Sequence, residues 1–178
     1  MKGQIDGGDE ETGISQGDAG FFMRNMMKKQ TLSLKARALN YLGMREHSRL
    51  ELARKLSAYA ESDDELNETL NWLEQKNYLS SQRFSEALVH RRSARYGNLR
   101  LMAELQQHQL DSASMELAKN LMDEDEEGRA LQVLRRKFPE MARTPEEKQK
   151  QYRFLQQRGF YGKAIRVAMN TSVDFDED

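Results

Sequence analysis

Cysteine is absent from this chain of 178 residues, and proline occurs only twice. Structural disulfides and thiolate catalysis are thereby excluded, a composition that suits a reducing cytoplasm, where we expect the protein to reside. No apolar run approaches the roughly 20 residues a membrane helix requires, so no membrane partner is expected. The one candidate leader segment, FFMRNMM at 21–27, is interrupted by Arg24 and Asn25 and preceded by acids, unlike a secretory signal. Catalytic constellations are missing as well. His47, His90 and His108 have neither an i, i+4 companion nor cysteine neighbours, which leaves no zinc pattern. The frequent serines sit at helix starts with no histidine to orient them, so neither an enzyme nor a cofactor is expected.

Charge, by contrast, is plentiful: 32% of residues are charged, the net charge is −1 and the mean hydropathy is −0.89. The near-neutral total conceals an uneven distribution. Residues 1–20 contain one Lys against five acids, and 171–178 contain four acids and no base. Setting these ends aside leaves 27 basic against 20 acidic residues, a body suited to an anionic partner such as nucleic acid or an acidic protein surface. Residues 1–30 read as an acidic extension without ordered structure. Met23, Met26 and Met27 stand just before the first helical pattern, and translation starting at one of them would make 1–22 an upstream extension.

From Thr31 onward the periodicity is helical throughout. Leu34, Ala38 and Tyr41/Leu42 mark a first stripe ending near Gly43. Ser48–Glu51 and Ser62–Glu65 have the spacing of capping boxes, followed by Leu52, Leu56, Tyr59 and by Leu66, Leu70, Leu73. A turn at Leu79-Ser80-Ser81 opens a helix carrying Phe84, Ala87 and Leu88, with Gly97 expected as its C′ residue. Leu101 and Leu105 mark the next helix. Asp111 or Ser112 caps one bearing Met115, Ala118 and Met122. Leu131, Leu134 and Phe138 then form a stripe that Pro139 stops. Thr144-Pro145-Glu146-Glu147 is the clearest helix start, with Tyr152 and Leu155 expected to face inward. A last helix runs from about Gly162 to Asn170.

These nine helices group in threes. Leu52, Leu105 and Leu155 occupy matching places in related strings, 53 and 50 residues apart. The expected fold is therefore all-α: three tandem three-helix repeats at 31–79, 80–123 and 124–170, stacked into an elongated, curved body, with an acidic tail at 171–178.

Basic residues cluster at helix ends: Arg45 with Arg49; Arg91, Arg92 and Arg95 with Arg100; Arg135, Arg136 and Lys137; and Arg158 in an Arg158-Gly159-Phe160 turn. The plainer account of each cluster is compensation of its own helix dipole. Aligned by the repeat, however, the same residues would form a stripe for phosphates or carboxylates. Tyr78, Tyr96 and Phe160 could stack on bases as the aromatics of single-strand binders do, but they stand at helix ends where packing is the expected role, and Trp72 borders an apolar stripe. Asp123–Glu127 lacks EF-hand spacing and reads as a solvated helix start, so no metal is expected.

Four groups of residues recur in one order and spacing: Tyr41-Leu42, Arg45, Ser48, Glu51-Leu52 and Lys55-Leu56; Tyr78-Leu79 and Arg83-Phe84; Arg92, Gly97, Leu99 and Leu105; and Arg158-Gly159-Phe160 with Ile165. In these the chain resembles the RecX family of bacterial regulators. Ser80-Ser81 replaces an Asp usual in the family, and Gln109-Leu110 replaces a closing Gly-Ile, which leaves the geometry of that turn open. The resemblance implies a non-enzymatic modulator that binds the filament of the RecA recombinase on DNA, in its helical groove; we expect it to be a monomer. It would inhibit RecA's ATPase and strand exchange and limit filament growth, with weak, non-specific contact to single- or double-stranded DNA. A stand-alone helical DNA-binding module and a helical-repeat protein scaffold are the other readings.

Overall fold

The computed structural model describes residues 32–140 and 142–171. The expected N-terminal extension, its start methionines and the acidic residues after Thr171 lie outside the described residues. The chain divides into two units, Met1–Ser33 and Leu34–Asp178, and apart from Leu32 and Ser33 the described residues belong to the second.

Among the described residues there are nine helices and no strand. The first triad comprises α1 (Leu34–Met44), α2 (Arg49–Leu56) and α3 (Asp63–Gln75); the second, α4 (Ser81–Ser93), α5 (Asn98–Gln106) and α6 (Ser112–Asp123). The third comprises α7 (Glu126–Lys137), α8 (Pro145–Gln157) and α9 (Gly162–Thr171). Short polar side chains set the starts. Ser48, Ser62, Ser80, Asp111, Asp125 and Thr144 each accept a hydrogen bond from a backbone N–H in the first turn of the helix they precede, each worth about 1 kcal/mol. Among the described residues only Thr144 and Glu147 complete a reciprocal capping box. Glu65 instead accepts from the Glu61 N–H, and Glu51 is taken by Arg45.

Each triad has its own core. Leu34, Ala38, Leu52, Leu56, Leu70, Leu73 and Leu79 pack together in the first. Phe84, Leu88, Leu101, Leu105, Ala118 and Met122 fill the second, and Leu134, Leu155, Phe160, Ile165 and Ala168 the third. The repeat-defining Leu52, Leu105 and Leu155 sit at equivalent points of α2, α5 and α8, all with no exposed surface. The main helix-to-helix packing lies within the triads. Burial is completed inside each unit and does not depend on an apolar interface between units. The joints are built from turns and polar side chains.

At the first joint, Ser48 Oγ meets His108 Nδ1 at 2.9 Å, and the His108 ring lies 4.7 Å from that of Phe84. Arg83 donates to Glu46 at 2.7 Å and to the carbonyls of Asn77 and Tyr78 at 3.0 Å. His47 is buried beneath this joint and donates from Nδ1 to the Arg45 carbonyl at 2.8 Å, while its Nε2 has no partner among the described residues. Burial lowers the pKa of both His47 and His108.

Three expectations need correction. Tyr152 is exposed, because the inward face of α8 is centred on Gln151 and Leu155, and one residue of offset turns a side chain by about 100°. Tyr59 lies beyond the end of α2 and is also exposed, with Arg37 stacked 4.1 Å from its ring centroid. Gly97 is not a left-handed C′ residue: its φ is −83°, and it occupies the N-cap of α5. The left-handed turn in this triad falls at Gln109, with φ 52°. That is the position where the resemblance left the geometry open, and a non-glycine residue adopts the glycine conformation there.

A basic, aromatic-walled cleft as candidate interface

The second joint locks two turns together through their main chains. The N–H of Gly97 donates to the Arg158 carbonyl at 2.9 Å, and that of Leu99 to the Gly159 carbonyl at 3.0 Å. A Cβ on Gly97 would run into the Phe160 Cα and the Gly159 oxygen; one on Gly159, where φ is +79°, would lie 2.6 Å from the Arg100 main chain. Both positions need glycine, for close approach at the first and for approach and conformation at the second.

Buried polar groups brace this contact. Glu126 is only 8% exposed, and its Oε1 accepts from the N–H of Asn98 at 2.8 Å and of Tyr161 at 3.3 Å. Arg129 reaches the Asn98 Oδ1 at 2.6 Å and the carbonyls of Met122 at 2.7 Å and Tyr96 at 3.4 Å. Burial lowers the Arg129 pKa, opposed by the carboxylates of Glu126, Asp125 and Asp123. The acids at 123–127 are therefore only partly a solvated helix start. Asp123 accepts from the Asn98 side chain, Asp125 caps α7, and Glu126 joins two triads. No group of His, Asp and Glu among the described residues could hold a metal ion.

The brace opens a cleft of 440 Å³ between the end of α4 and the ends of α7 and α8, lined by Arg95, Tyr96, Arg136, Lys137, Phe154 and Arg158. The guanidinium of Arg158 stacks 3.8 Å from the Phe154 ring centroid, and that of Arg100 4.1 Å from the Tyr96 centroid. Phe154 is in turn held edge-on by Phe138 at 5.2 Å. No salt bridge neutralises Arg95, Arg136, Lys137 or Arg158 among the described residues. Guanidinium and ammonium groups can meet phosphates, and guanidinium planes and aromatic faces can stack on bases.

Other basic residues singled out from the sequence are committed differently. Arg45 pairs with Glu51, whose carboxyl is held below its usual pKa range chiefly by that hydrogen bond. Arg49 donates to Glu74 at 2.6 Å and to Asn71 at 2.8 Å. Arg92 grips Glu104 through Nε and Nη2 at 3.2 and 3.0 Å. Arg91 and Arg135 are exposed on the last turns of α4 and α7. The structure thus gathers Arg95, Arg136, Lys137 and Arg158, sets Arg100 at their edge, and leaves Arg45 and Arg49 outside the cleft in the first triad. Phe160 is core, Tyr96 and Phe154 are half-buried, and Tyr78 is exposed with its ring 5.7 Å from Trp72. Sequence reasoning missed Glu126, Arg129, Asn98 and Phe154, none of which carries a local motif.

Family comparison agrees with this architecture. The first three-helix domain of RecX matches residues 35–73 and the third matches 124–169. Regulatory protein RecX of Herbaspirillum seropedicae is 52% identical over 152 residues, covering 85% of this chain and 98% of the relative. The chain belongs to the RecX family. A second RecX, from Herminiimonas arsenicoxydans, is 47% identical, with 85% of this chain and 100% of the relative covered. The crystal structure of RecX from Lactobacillus salivarius superposes with a TM-score of 0.65 at 19% identity, over 79% of this chain and 94% of that one. A further crystal structure, of regulatory protein RecX, gives 0.66 at 15% identity, over 90% and 81%. At such identities these two structures speak for the fold alone. Membership makes this chain a regulatory protein and not an enzyme. Among the described residues no helix is long and apolar enough to cross a membrane.

Proposed function

We propose that this RecX protein acts in the cytoplasm as a monomer that binds the RecA–DNA filament in its helical groove. Bound there, it inhibits ATP hydrolysis and strand exchange and limits filament growth. The observation that carries the reading is the cleft, where Arg95, Arg136, Lys137 and Arg158 meet between two aromatic walls with no salt bridge to a carboxylate among the described residues. Such a surface attracts the phosphates of DNA and the acidic surface of a protein lattice alike, and its electrostatic part weakens with salt. The braced joint fixes the helix ends that carry the cations, so the binding energy is not spent on ordering two loose triads. The tandem units 31–79, 80–123 and 124–170 would then contact successive parts of the filament, with direct DNA binding weak and indifferent to sequence.

The test is RecA's single-strand-DNA-dependent ATPase at substoichiometric amounts of the protein, beside binding to free DNA. We expect strong inhibition by the natural chain and at least about tenfold weaker inhibition when Arg95, Arg136 and Arg158 are all changed to Glu, the loss expected from reversing several close contacts. Arg49→Ala, in the first triad, should inhibit as the natural chain does. Equal inhibition by the triple variant, with its helix content intact, would end the assignment of the cleft.

A further inference from the structure

The sequence that follows α9 has chemistry complementary to the cleft. α7 and α9 run parallel: Glu127 at the start of α7 pairs with Lys163 at the start of α9 at 2.8 Å, and Glu126 accepts from the N–H of Tyr161. Ala168 and Met169 of α9 pack into the core shared with Val133, Leu134 and Phe138. From this common origin the ten residues to Lys137 advance about 15 Å and the eight to Thr171 about 12 Å, so Thr171 stands level with the basic last turn of α7, about 3 Å short of Lys137. There follow Ser172, Val173, Asp174, Phe175, Asp176, Glu177 and Asp178. Seven residues of extended chain reach up to about 24 Å, enough to pass around one helix into the cleft.

We propose that residues 172–178 occupy the basic cleft and compete with its anionic ligand, an inference that rests on the cleft reading above. The match is one of both charge and shape. Four carboxylates face four cations, and Phe175, set between acids, meets a cleft walled by Tyr96 and Phe154. Tethered so closely, the segment acts at an effective concentration on the order of millimolar, so even a weak contact screens the site. An incoming polyanion displaces it, and partners that offer only a few charges are kept out.

Two measurements on the full chain decide the matter. In the first, Asp174→Asn, Asp176→Asn, Glu177→Gln and Asp178→Asn are combined, and binding to a fluorescein-labelled 20-nucleotide oligothymidine is compared with the natural chain. We expect about 3- to 10-fold tighter binding at low salt, the difference vanishing as salt screens both partners. The second needs no nucleic acid. Because the chain lacks cysteine, Asp178→Cys takes a single spin label, which should broaden the amide resonances of Arg95, Tyr96 and Arg158 and spare those of α1. Unchanged affinity together with no broadening at the cleft would overturn the proposal. Broadening at the cleft, with oligothymidine binding indifferent to Arg136→Glu and Arg158→Glu, would uphold the internal contact and remove nucleic acid as the cleft's ligand. Unchanged affinity on neutralising the segment, with binding abolished by those reversals, would reject competition and keep the cleft as a binding site.

Discussion

Changing Glu126 to Ala should uncouple the second and third triads while leaving the first untouched. The carboxylate accepts from the Asn98 N–H at 2.8 Å and the Tyr161 N–H at 3.3 Å, and it sits beside the half-buried Arg129 guanidinium. Asn98 is buried, so its donor would be left without a partner, whereas Tyr161 is exposed and its N–H can turn to water. One buried, charge-assisted hydrogen bond accounts for about 2 kcal/mol, and the lost countercharge of Arg129 brings the total to about 3 kcal/mol. With a urea dependence of about 1.5 kcal/mol per molar, the unfolding midpoint of the affected region should fall by about 2 M. The chain supplies its own regional probe. Trp72, the single tryptophan, belongs to α3 in the first triad, whereas far-ultraviolet circular dichroism reports all helices. The dichroism transition should shift or divide while the Trp72 fluorescence midpoint stays in place. Glu126→Gln, which retains the accepting Oε1, should lose only about 1 kcal/mol. If the fluorescence midpoint fell together with the dichroism, the triads would unfold as one body, and separate cores joined by polar turns would be the wrong description.

Three further predictions follow from the same contacts. Because burial lowers the pKa of His47 and His108 from the ordinary 6.5, the unfolded chain takes up protons first as the pH drops. Their contribution is therefore intact above that value and declines on acidification toward the lowered folded-state values; the urea midpoint by Trp72 fluorescence should be lower at pH 5.5 than at pH 7.5, and equal midpoints would refute it. Gln109→Gly should raise stability by about 0.5–1 kcal/mol, since relief of a left-handed backbone at φ 52° outweighs the added freedom of the unfolded chain. Thermal unfolding would show it, and a lower melting point would count against strain at this turn. Gly97→Ala should cost about 2 kcal/mol by forcing the Arg158–Phe160 turn away, whereas Gly43→Ala, with nothing within 4 Å of the new methyl, should gain about 0.5–1 kcal/mol. A neutral Gly97→Ala would show that the turn can give way.

What was legible in the sequence was what is local. Ser48, Ser62, Asp111 and Thr144 announce helix starts because a cap acts within three residues, and Leu52, Leu105 and Leu155 betray the repeat because burial recurs in register. Arginines at helix ends were also visible. Which of them stay unpaired was not, because Glu104 and Glu74 lie 12 and 25 residues from the arginines they bind. Glu126 escaped notice for a related reason: among five acids at a helix start it looks solvated, and only the arrival of Asn98 and Tyr161 from other elements buries it. Tyr152 illustrates the finer failure, since a stripe misplaced by one residue exchanges a tyrosine for Gln151. Gly97 was recognised but given the wrong task, because its neighbour in space lies some sixty positions further along the chain.

The meeting of Gly97 with Gly159 separates two properties that most binding surfaces entangle. The gap across the cleft is set where one main chain rests on another, without an intervening side chain, so its gauge is a fixed dimension of the scaffold. The cations at its rim hang from flexible stems and contribute nothing to that dimension. Lysine can therefore replace arginine at the rim, or one charge disappear, and the slot keeps its width while its pull on an anion changes. A single methyl group at either glycine does the reverse: every charge remains, and the spacing between them is lost.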